Sequence, residues 1–216
     1  PKDLAGLHIA VTAGPTQEPL DPVRYLTNHS TGKMGYAVAR AAAMRGADVT
    51  LIHGPTALPP VKFTEDVPIT TAQDMYEAVT SRFADMDILV MAAAVADYRP
   101  ATVADDKIKK KDGDLSIPVE RTADILGTIG PRKTKQFLCG FSMETRDMVE
   151  NSAAKLKKKN LDMVVANNLK VSGAGFGVDT NVVTFITPDG TRELPLMSKA
   201  DVADAILDEI LKRRAQ

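Results

Sequence analysis

Short apolar runs alternate along the chain with segments in which apolar residues recur every three or four positions. Runs of the first kind predict strands that are buried on both faces, as in a parallel sheet. Segments of the second kind predict amphipathic helices that cover such a sheet. We therefore expect an α/β fold, a Rossmann-like three-layer sandwich with a mostly parallel sheet. The predicted strands are residues 8–14, 48–54, 87–95, 136–142 and 161–167.

Helices are predicted between and after these strands. Their expected ranges are residues 31–45, 72–83, 147–159 and about 199–213. The first has Ser30 or Thr31 available as its N-cap and Gly46 as its end, because hydroxyl groups cap helix starts and glycine often follows helix ends. Its many small residues predict that it lies close to the sheet.

Two further features are predicted outside this core. Residues 181–197 are expected to form an antiparallel β-hairpin extension, since Asp189-Gly190 is a strong turn signal between two alternating runs. The charged residues at about 105–116 are expected to form a mobile lysine-rich flap. No repeat or low-complexity segment divides the chain, so residues 1–216 are predicted to be a single domain.

Composition excludes several classes of partner. The 27 Lys and Arg residues against 28 Asp and Glu residues give a net charge of -1, so no overall basic field attracts nucleic acid or an anionic membrane. No apolar run is long enough to span a bilayer. The single cysteine, Cys139, forbids an internal disulfide, and the three histidines lack the spacing of a metal site. A cytoplasmic protein without a nucleic-acid or membrane partner is expected.

Candidate chemistry is expected in the loops that follow the strands, because ligands of doubly wound sheets bind beyond the carboxyl ends of the strands. The first loop ends in TNHSTGKMG and delivers Asn28, Ser30 and Thr31 to a helix start, where free amides attract anions. It is not a Walker loop, since Thr27 replaces the first glycine and Met34 replaces the metal-binding hydroxyl. An ordinary helix cap is the alternative interpretation.

The later loops supply small residues, a carboxylate and three lysines. These candidates are Ala92, Ala93, Ala94, Asp97, Lys107, Lys155 and Lys159. Each has a plain structural explanation, as packing alanines, solvated charge or cations at a helix C-terminus. Together they favour a site for a polyanion, most economically a nucleoside triphosphate. Lys33 and the glycine-rich residues 173–177 are interpreted, on their own, as surface charge and a flexible turn.

Two other classes of function stay open. An NAD(P)-dependent oxidoreductase would share the sheet, but the GxGxxG fingerprint is absent, and the second strand ends in His53 rather than in an acid for the ribose. A noncatalytic nucleotide-binding module would bind the nucleotide without turning it over.

The chain resembles a known family. Three stretches carry the resemblance: AGPTQEPLDPVRYLTNHSTGKMG, AAAVADYRP followed by KIKK, and GFGVDTN. They are similar to the phosphopantothenoylcysteine synthetase domain of bacterial coenzyme A biosynthesis, which is often fused behind a flavin-dependent decarboxylase. The similarity implies a ligase that joins 4'-phosphopantothenate to L-cysteine through an acyl-cytidylate, consuming CTP and releasing diphosphate and then CMP. Pro1 fits a domain cut from behind such a decarboxylase.

The resemblance also implies roles for individual residues. Asn28 and Lys107 are the implied catalytic residues, Asn28 at the acyl group and Lys107 on a flap over the triphosphate. Asn28, Ser30 and Thr31 are the implied substrate-binding residues, and Asp97 is a candidate ligand of Mg²⁺. The implied nucleotide-binding residues are Ala92, Ala93, Ala94, Asp97, Lys107, Phe141, Lys155 and Lys159.

CTP and Mg²⁺ are accordingly expected, FMN is not expected in this domain, and a homodimer formed through the late antiparallel strands is expected. One position departs from the family. Ala123 stands where relatives commonly carry a proline before Asp124, which leaves the conformation of this loop open.

Overall fold

In a computed structural model that describes residues 1–144 and 147–216, eight strands form one sheet with helices on both faces. The strands are β1 (His8–Ala13), β2 (Asp48–His53), β3 (Thr64–Pro68), β4 (Ile88–Met91), β5 (Phe137–Glu144), β6 (Met163–Asn168), β7 (Val183–Thr187) and β8 (Gly190–Glu193). The α-helices are α1 (Lys33–Met44), α2 (Ala72–Arg82), α3 (Ile125–Ile129), α4 (Met148–Lys158) and α5 (Lys199–Arg214).

Short elements complete the chain. Two 3-10 turns follow α2 and α3, at Phe83–Asp85 and Gly130–Arg132. Three small ribbons pair Glu18–Pro19 with Tyr25–Leu26, Tyr98–Pro100 with Val119–Arg121, and Thr180–Asn181 with Met197–Ser198. None of the helices in the described ranges has the length and apolar character needed to cross a membrane.

The sheet has the strand order β8-β7-β6-β5-β4-β1-β2-β3. Within the set β1 to β6, every pair of neighbouring strands is parallel. Strand β7 runs antiparallel to β6, and β8 runs antiparallel to β7. The six parallel strands thus have the order 3-2-1-4-5-6 of a Rossmann sheet, with its switch point between β1 and β4. The predicted α/β fold and the hairpin are confirmed.

Two hydrophobic clusters place the sheet between two helical layers. Successive side chains of a strand point to opposite faces, and β1 shows this clearly: Ile9 and Val11 belong to the cluster with α1 and α5, whereas Ala10 belongs to the cluster with α2, α3 and α4. The central strands are therefore buried on both faces, which is why they appear in the sequence as continuous apolar runs.

Helix α1 lies unusually close to β1. A Cβ atom added at Gly35 would come within 2.4 Å of the Ala13 Cβ atom, so only glycine allows this approach. The helix begins later than predicted, because Gly32 occupies the N-cap with a φ of 83°, and neither Ser30 nor Thr31 is the capping residue. The predicted end is confirmed, since Gly46 has a φ of 92° directly after the C-cap.

Two strands also differ from the prediction. No strand was predicted between residues 54 and 87, but Thr64–Pro68 forms the edge strand β3. Its polar residues and terminal proline hide it in the sequence, and an edge strand tolerates both. Strand β4 ends at Met91, four residues before the predicted end, because the alanines after it turn out of the sheet and Ala94 bridges to Pro15.

The predicted flap lies between the strands of the small ribbon made by Tyr98–Pro100 and Val119–Arg121. Residues 101–118 contain no helix or strand. Ile108 is nevertheless held in place, since its amide donates to the Asp21 carboxylate at 3.0 Å and its carbonyl oxygen accepts from Arg24 at 2.9 Å. At this point the flap is anchored to the loop that follows β1.

Candidate active site

A cavity of about 500 Å³ lies at the carboxyl edge of the sheet, where the loops after β1, β4 and β6 meet the end of strand β5. This is the edge where the sequence predicted a site. Nine of the predicted site residues line it: Ser30, Thr31, Ala92, Ala93, Ala94, Asp97, Phe141, Lys155 and Lys159. The two predicted catalytic residues, Asn28 and Lys107, are not among the residues that line it.

Asn28 acts as a brace beside the cavity. Its Nδ2 atom donates to the carbonyl oxygen of Ala94 at 2.8 Å, and its Oδ1 atom accepts from the amide of Ser30 at 3.0 Å. The first bond ties the loop after β1 to the residues that follow β4, and the second fixes the side chain within its own loop. The side chain therefore holds a fixed orientation between two cavity-lining residues.

Lys107 is exposed on the flap, next to the anchored Ile108. The anchor itself is firm. Asp21 is 3% exposed, and its hydrogen bonds from Arg24 hold the pKa of the Asp21 carboxyl well below its usual range. Because Lys107 directly precedes Ile108, this anchored pair limits where the Lys107 ammonium group can reach.

Two lysines at the end of α4, Lys155 and the C-cap residue Lys159 (together the α4 lysines), contact protein groups in the cavity. Lys155 donates to the carbonyl oxygen of Phe141 at 2.6 Å, and Lys159 forms an ion pair with Asp124. Asp124 also caps α3 by accepting from the amide of Gly127 at 3.0 Å. The α4 lysines thus stand at the cavity with defined orientations.

The loop around Ala123, whose conformation the sequence left open, is held by hydrogen bonds on both sides. The Thr122 amide donates to the carbonyl oxygen of Asp97 at 2.9 Å, and the Thr122 hydroxyl donates to that of Ala96 at 2.6 Å. Ala123 and Asp124 both line the cavity. Hydrogen bonds of Thr122 and Asp124, on either side of Ala123, thus fix the backbone at a position where a proline ring would also restrict it.

The polar residues of the cavity that sequence reasoning missed include Asn167, Asn181 and Lys199. Asn167 is 3% exposed, and its Oδ1 atom has no hydrogen-bond partner within residues 1–144 and 147–216. A buried acceptor of this kind calls for a donor from a ligand or water. Asn167 directly extends the apolar run of β6, so its place at a strand end was the signal that could have found it.

Lys199, the first residue of α5, is 5% exposed. Burial lowers its pKa to about 8, with a further lowering from nearby Lys33 and an opposing effect of Asp179. Lys33 is not free surface charge, since its ammonium group donates to Asp179 at 3.0 Å and to the carbonyl oxygen of Gly177 at 3.1 Å.

The carboxylates of the cavity suit a metal ion that arrives with phosphate groups. Within the part of the chain that the structure describes, no three His, Cys, Asp or Glu residues come together as a metal site. Mg²⁺ commonly needs only one or two carboxylates when it also binds substrate phosphates. Asp97 and Asp124 line the cavity and fit that requirement.

Comparison with known families bears on this arrangement. The family model described as the DNA/pantothenate metabolism flavoprotein C-terminal domain matches residues 4–213. The chain belongs to this family.

Curated members of the flavoprotein C-terminal domain family are similar over almost all of the chain. The coenzyme A biosynthesis bifunctional protein CoaBC of Bacillus subtilis (strain 168) is 52% identical over 209 residues, which are 96% of this chain and 52% of the relative. CoaBC of Escherichia coli (strain K12) is 45% identical over 215 residues, 98% of this chain and 53% of the relative. The chain therefore spans about half the length of the curated relatives it matches.

A solved structure supports the same assignment. The C-terminal domain of CoaBC is 44% identical to the chain, with a TM-score of 0.83, and the match covers 97% of this chain and 96% of that one. The DNA/pantothenate metabolism flavoprotein of Streptococcus pneumoniae has a TM-score of 0.84 at 24% identity, covering 96% of this chain and 100% of that one, and it shows the shared fold.

Proposed function

We propose that this chain is a phosphopantothenate–cysteine ligase of coenzyme A biosynthesis, using CTP and passing through an acyl-cytidylate. One observation carries the proposal. A single cavity at the switch-point edge joins the α4 lysines and Asp97 to the start of α1, in a chain that belongs to a family whose members include CoaBC. Cations and a helix start in one cavity suit a triphosphate and a second anionic substrate.

The first step of the proposed reaction activates a carboxylate. The phosphopantothenate carboxylate attacks the α-phosphorus of CTP, the bond to diphosphate breaks, and an acyl-cytidylate forms. Lys107 from the flap, with Lys155 and Lys159, stabilises the charge that collects on the phosphates. Contacts to the nucleotide come from Ala92, Ala93, Ala94, Asp97 and Phe141. Mg²⁺, when bound, supplies further neutralisation of the phosphates, and Asp97 is the residue that would hold it.

The second step transfers the acyl group to cysteine. The amine of cysteine attacks the acyl carbon, and the bond to CMP breaks. Asn28 orients the acyl half, and Ser30 and Thr31 line the cavity beside it, where the α1 amides meet an anion of the substrate. The braces from Asn28 to Ala94 and Ser30 mean that this orientation is set before substrate arrives.

The larger assembly is part of the same proposal. The curated relatives are bifunctional and about twice as long as the matched region, which supports fusion of this domain behind a flavin-dependent decarboxylase. The proposal includes a homodimer formed through β8, whose four residues are all exposed. It also includes a cytoplasmic location.

Product formation tests the reaction directly. The protein incubated with 4'-phosphopantothenate, cysteine and CTP should release diphosphate and yield the amide product by mass spectrometry. ATP in place of CTP tests the base preference. CTP binding by calorimetry without any product would favour the noncatalytic nucleotide-binding module, and NADPH binding without CTP binding would favour the oxidoreductase.

A matched pair of variants tests the assignment of the α4 lysines. Lys155→Gln should raise KM for CTP roughly tenfold, since it removes one charged contact to the nucleotide. Lys158→Gln on the exposed side of the same helix should leave KM for CTP within about twofold. If Lys155→Gln raised only the KM for phosphopantothenate, Lys155 would be assigned to the binding of phosphopantothenate and not of CTP.

A further inference from the structure

The segment 175–178, between β6 and β7, forms part of the cavity wall through Gly175 and Phe176. Its four consecutive carbonyl oxygens all accept hydrogen bonds from side chains of other elements. Lys199 donates to the carbonyl oxygen of Gly175 at 2.6 Å and to that of Val178. Thr31 donates to that of Phe176 at 2.6 Å.

Lys33 completes the set, because its ammonium group donates to the carbonyl oxygen of Gly177. The donors come from the start of α1 and the first residue of α5, two elements that pack together on one face of the sheet. The segment is therefore attached to the α1 side of the cavity by contacts that span more than twenty residues of sequence in every case.

The segment has little support of its own. In the described part of the chain, its backbone amides and carbonyls from 175 to 178 make no backbone-to-backbone hydrogen bond. Glycine occupies positions 173, 175 and 177, and Gly175 has a φ of 146° that other residues rarely adopt. A sequence of this kind loses much conformational freedom when it is ordered. The Gly175 amide donates to the Oδ1 atom of Asn181 at 3.3 Å, and the other hydrogen bonds that order the segment within the described residues come from the three donors.

Lys199 is the central donor. Among the described residues, its ammonium group donates hydrogen bonds only to carbonyl oxygens, and the charged groups that influence it are Lys33 and Asp179. Burying an amine is costly unless its hydrogen bonds are made, so the closed segment and the buried Lys199 depend on each other. Release of the segment would expose both.

We propose that Lys199 is a positioning residue that, with Thr31 and Lys33, latches segment 175–178 closed, so that the Phe176 ring contacts the branched hydrocarbon of the pantoyl group. This rests on the proposed function, in which the α1 side of the cavity receives the acyl substrate. Lys199 acts through the segment and not on the reacting atoms.

Limited digestion with chymotrypsin tests the latch without any substrate. Cleavage after Phe176 requires the segment to open. Cleavage after Phe63, which is 91% exposed, gives a reference rate. Cleavage after Phe185, which is 1% exposed, reports global unfolding. In Lys199→Met, cleavage after Phe176 should accelerate roughly tenfold relative to Phe63, with no rise at Phe185. Lys170→Met, a matched change at an exposed lysine, should leave the ratio unchanged.

An unchanged ratio in folded Lys199→Met overturns the latch, whether or not the protein is active. If Lys199→Met raises cleavage after Phe185 and so fails to fold, Lys33→Met serves instead. This change removes the hydrogen bond to the carbonyl oxygen of Gly177 and should accelerate cleavage after Phe176 by a few fold.

Steady-state kinetics test the assigned substrate. Lys199→Met and Phe176→Ala should each raise KM for phosphopantothenate about tenfold, while KM for CTP and kcat change by less than about threefold. Equal changes in KM for phosphopantothenate and in KM for CTP would overturn the proposed contact between Phe176 and the pantoyl group. If the unmodified protein forms no product from CTP, phosphopantothenate and cysteine, the proposed function fails, and the digestion ratio still decides the latch.

Discussion

The polar side chains of the cavity are already oriented by protein contacts. Asn28 is held by the Ala94 carbonyl oxygen and Lys155 by that of Phe141. Such groups need little rearrangement when charge develops on a substrate, and preorganisation of this kind lowers the barrier of the chemical step. Lys159 differs, because its partner is the carboxylate of Asp124, and a phosphate group must compete with that ion pair.

Lys107→Gln should slow the activation step about 10- to 150-fold, since a hydrogen bond to a charged group contributes about 1.5 to 3 kcal/mol. The measurement is the rate of diphosphate release at saturating CTP. Lys110→Gln removes a second exposed flap lysine and should change this rate by less than about twofold. Equal effects of both changes would show that the flap contributes general positive charge and that Lys107 has no particular role.

Asn28→Asp should impair the second step more than the first. A carboxylate has no hydrogen to donate, so the variant loses the bond to the Ala94 carbonyl oxygen and places negative charge beside the acyl-phosphate. The acyl-cytidylate should therefore accumulate and be visible by mass spectrometry.

The control for this prediction is His29→Asp, which adds a similar charge one residue away at an exposed position. It should not cause the intermediate to accumulate. Loss of turnover in Asn28→Asp without any detectable intermediate would contradict the division of labour between Asn28 and the lysines.

At the scale of elements, the close contact of α1 with β1 decides where the helix start points. Gly35 faces the backbone of β1, and an added Cβ atom would also come within 2.9 Å of the Thr12 carbonyl oxygen. Backbone atoms of a central strand cannot move aside easily. The helix would have to lift, and its first turn, with Thr31 and Lys33, would shift relative to the cavity.

Gly35→Ala should therefore lower the free energy of unfolding by about 1 to 3 kcal/mol, the usual cost of overpacking a core. Urea denaturation followed by circular dichroism measures this change. Gly177→Ala is the matched control, because an added Cβ atom there meets nothing within 4 Å, and it should change the free energy by less than about 0.5 kcal/mol. If Gly35→Ala had the same free energy of unfolding as the unmodified protein, α1 would be able to shift away from β1 without loss of stability.

At the scale of the whole molecule, most of the sheet was predictable because its central strands are buried on both faces. Continuous apolar runs mark such strands in the sequence. The edge strand β3 was missed because it is short and polar, with Glu65 and Asp66 exposed and no run of apolar residues. The late start of α1 was missed because Ser30 and Thr31 are good capping residues, while Gly32 takes the N-cap position through its left-handed backbone.

The site was predictable where it lies at strand ends and unpredictable where distant segments supply it. Asp97 follows β4 and Phe141 lies near the end of β5, and parallel topology brings these strand ends to one edge. Lys199 reaches the same cavity from the start of the last helix, and no local pattern marks it. Lys33 looked like surface charge because its partner, Asp179, is 146 residues further along the chain. Pairings of this range require the folded structure.

Arg45 joins the chain's first residues to both helices of one face. Only 9% exposed, it bonds Asp3 at 2.9 and 2.7 Å and lies 2.9 Å from Asp208 of α5, and these carboxylates raise its pKa. Arg45→Met should lower the free energy of unfolding by about 1 to 3 kcal/mol, since it breaks a network rather than one exposed pair.

The exposed Arg40 on the same helix provides the matched control for this change. Arg40→Met should lower the free energy of unfolding by less than about 0.5 kcal/mol in urea denaturation. Arg45→Met should also cost less in an Asp3→Ala background than alone, because residues that share a contact are not additive. Equal costs in both backgrounds would mean that the first residues are held by the buried Leu4 and not by Arg45.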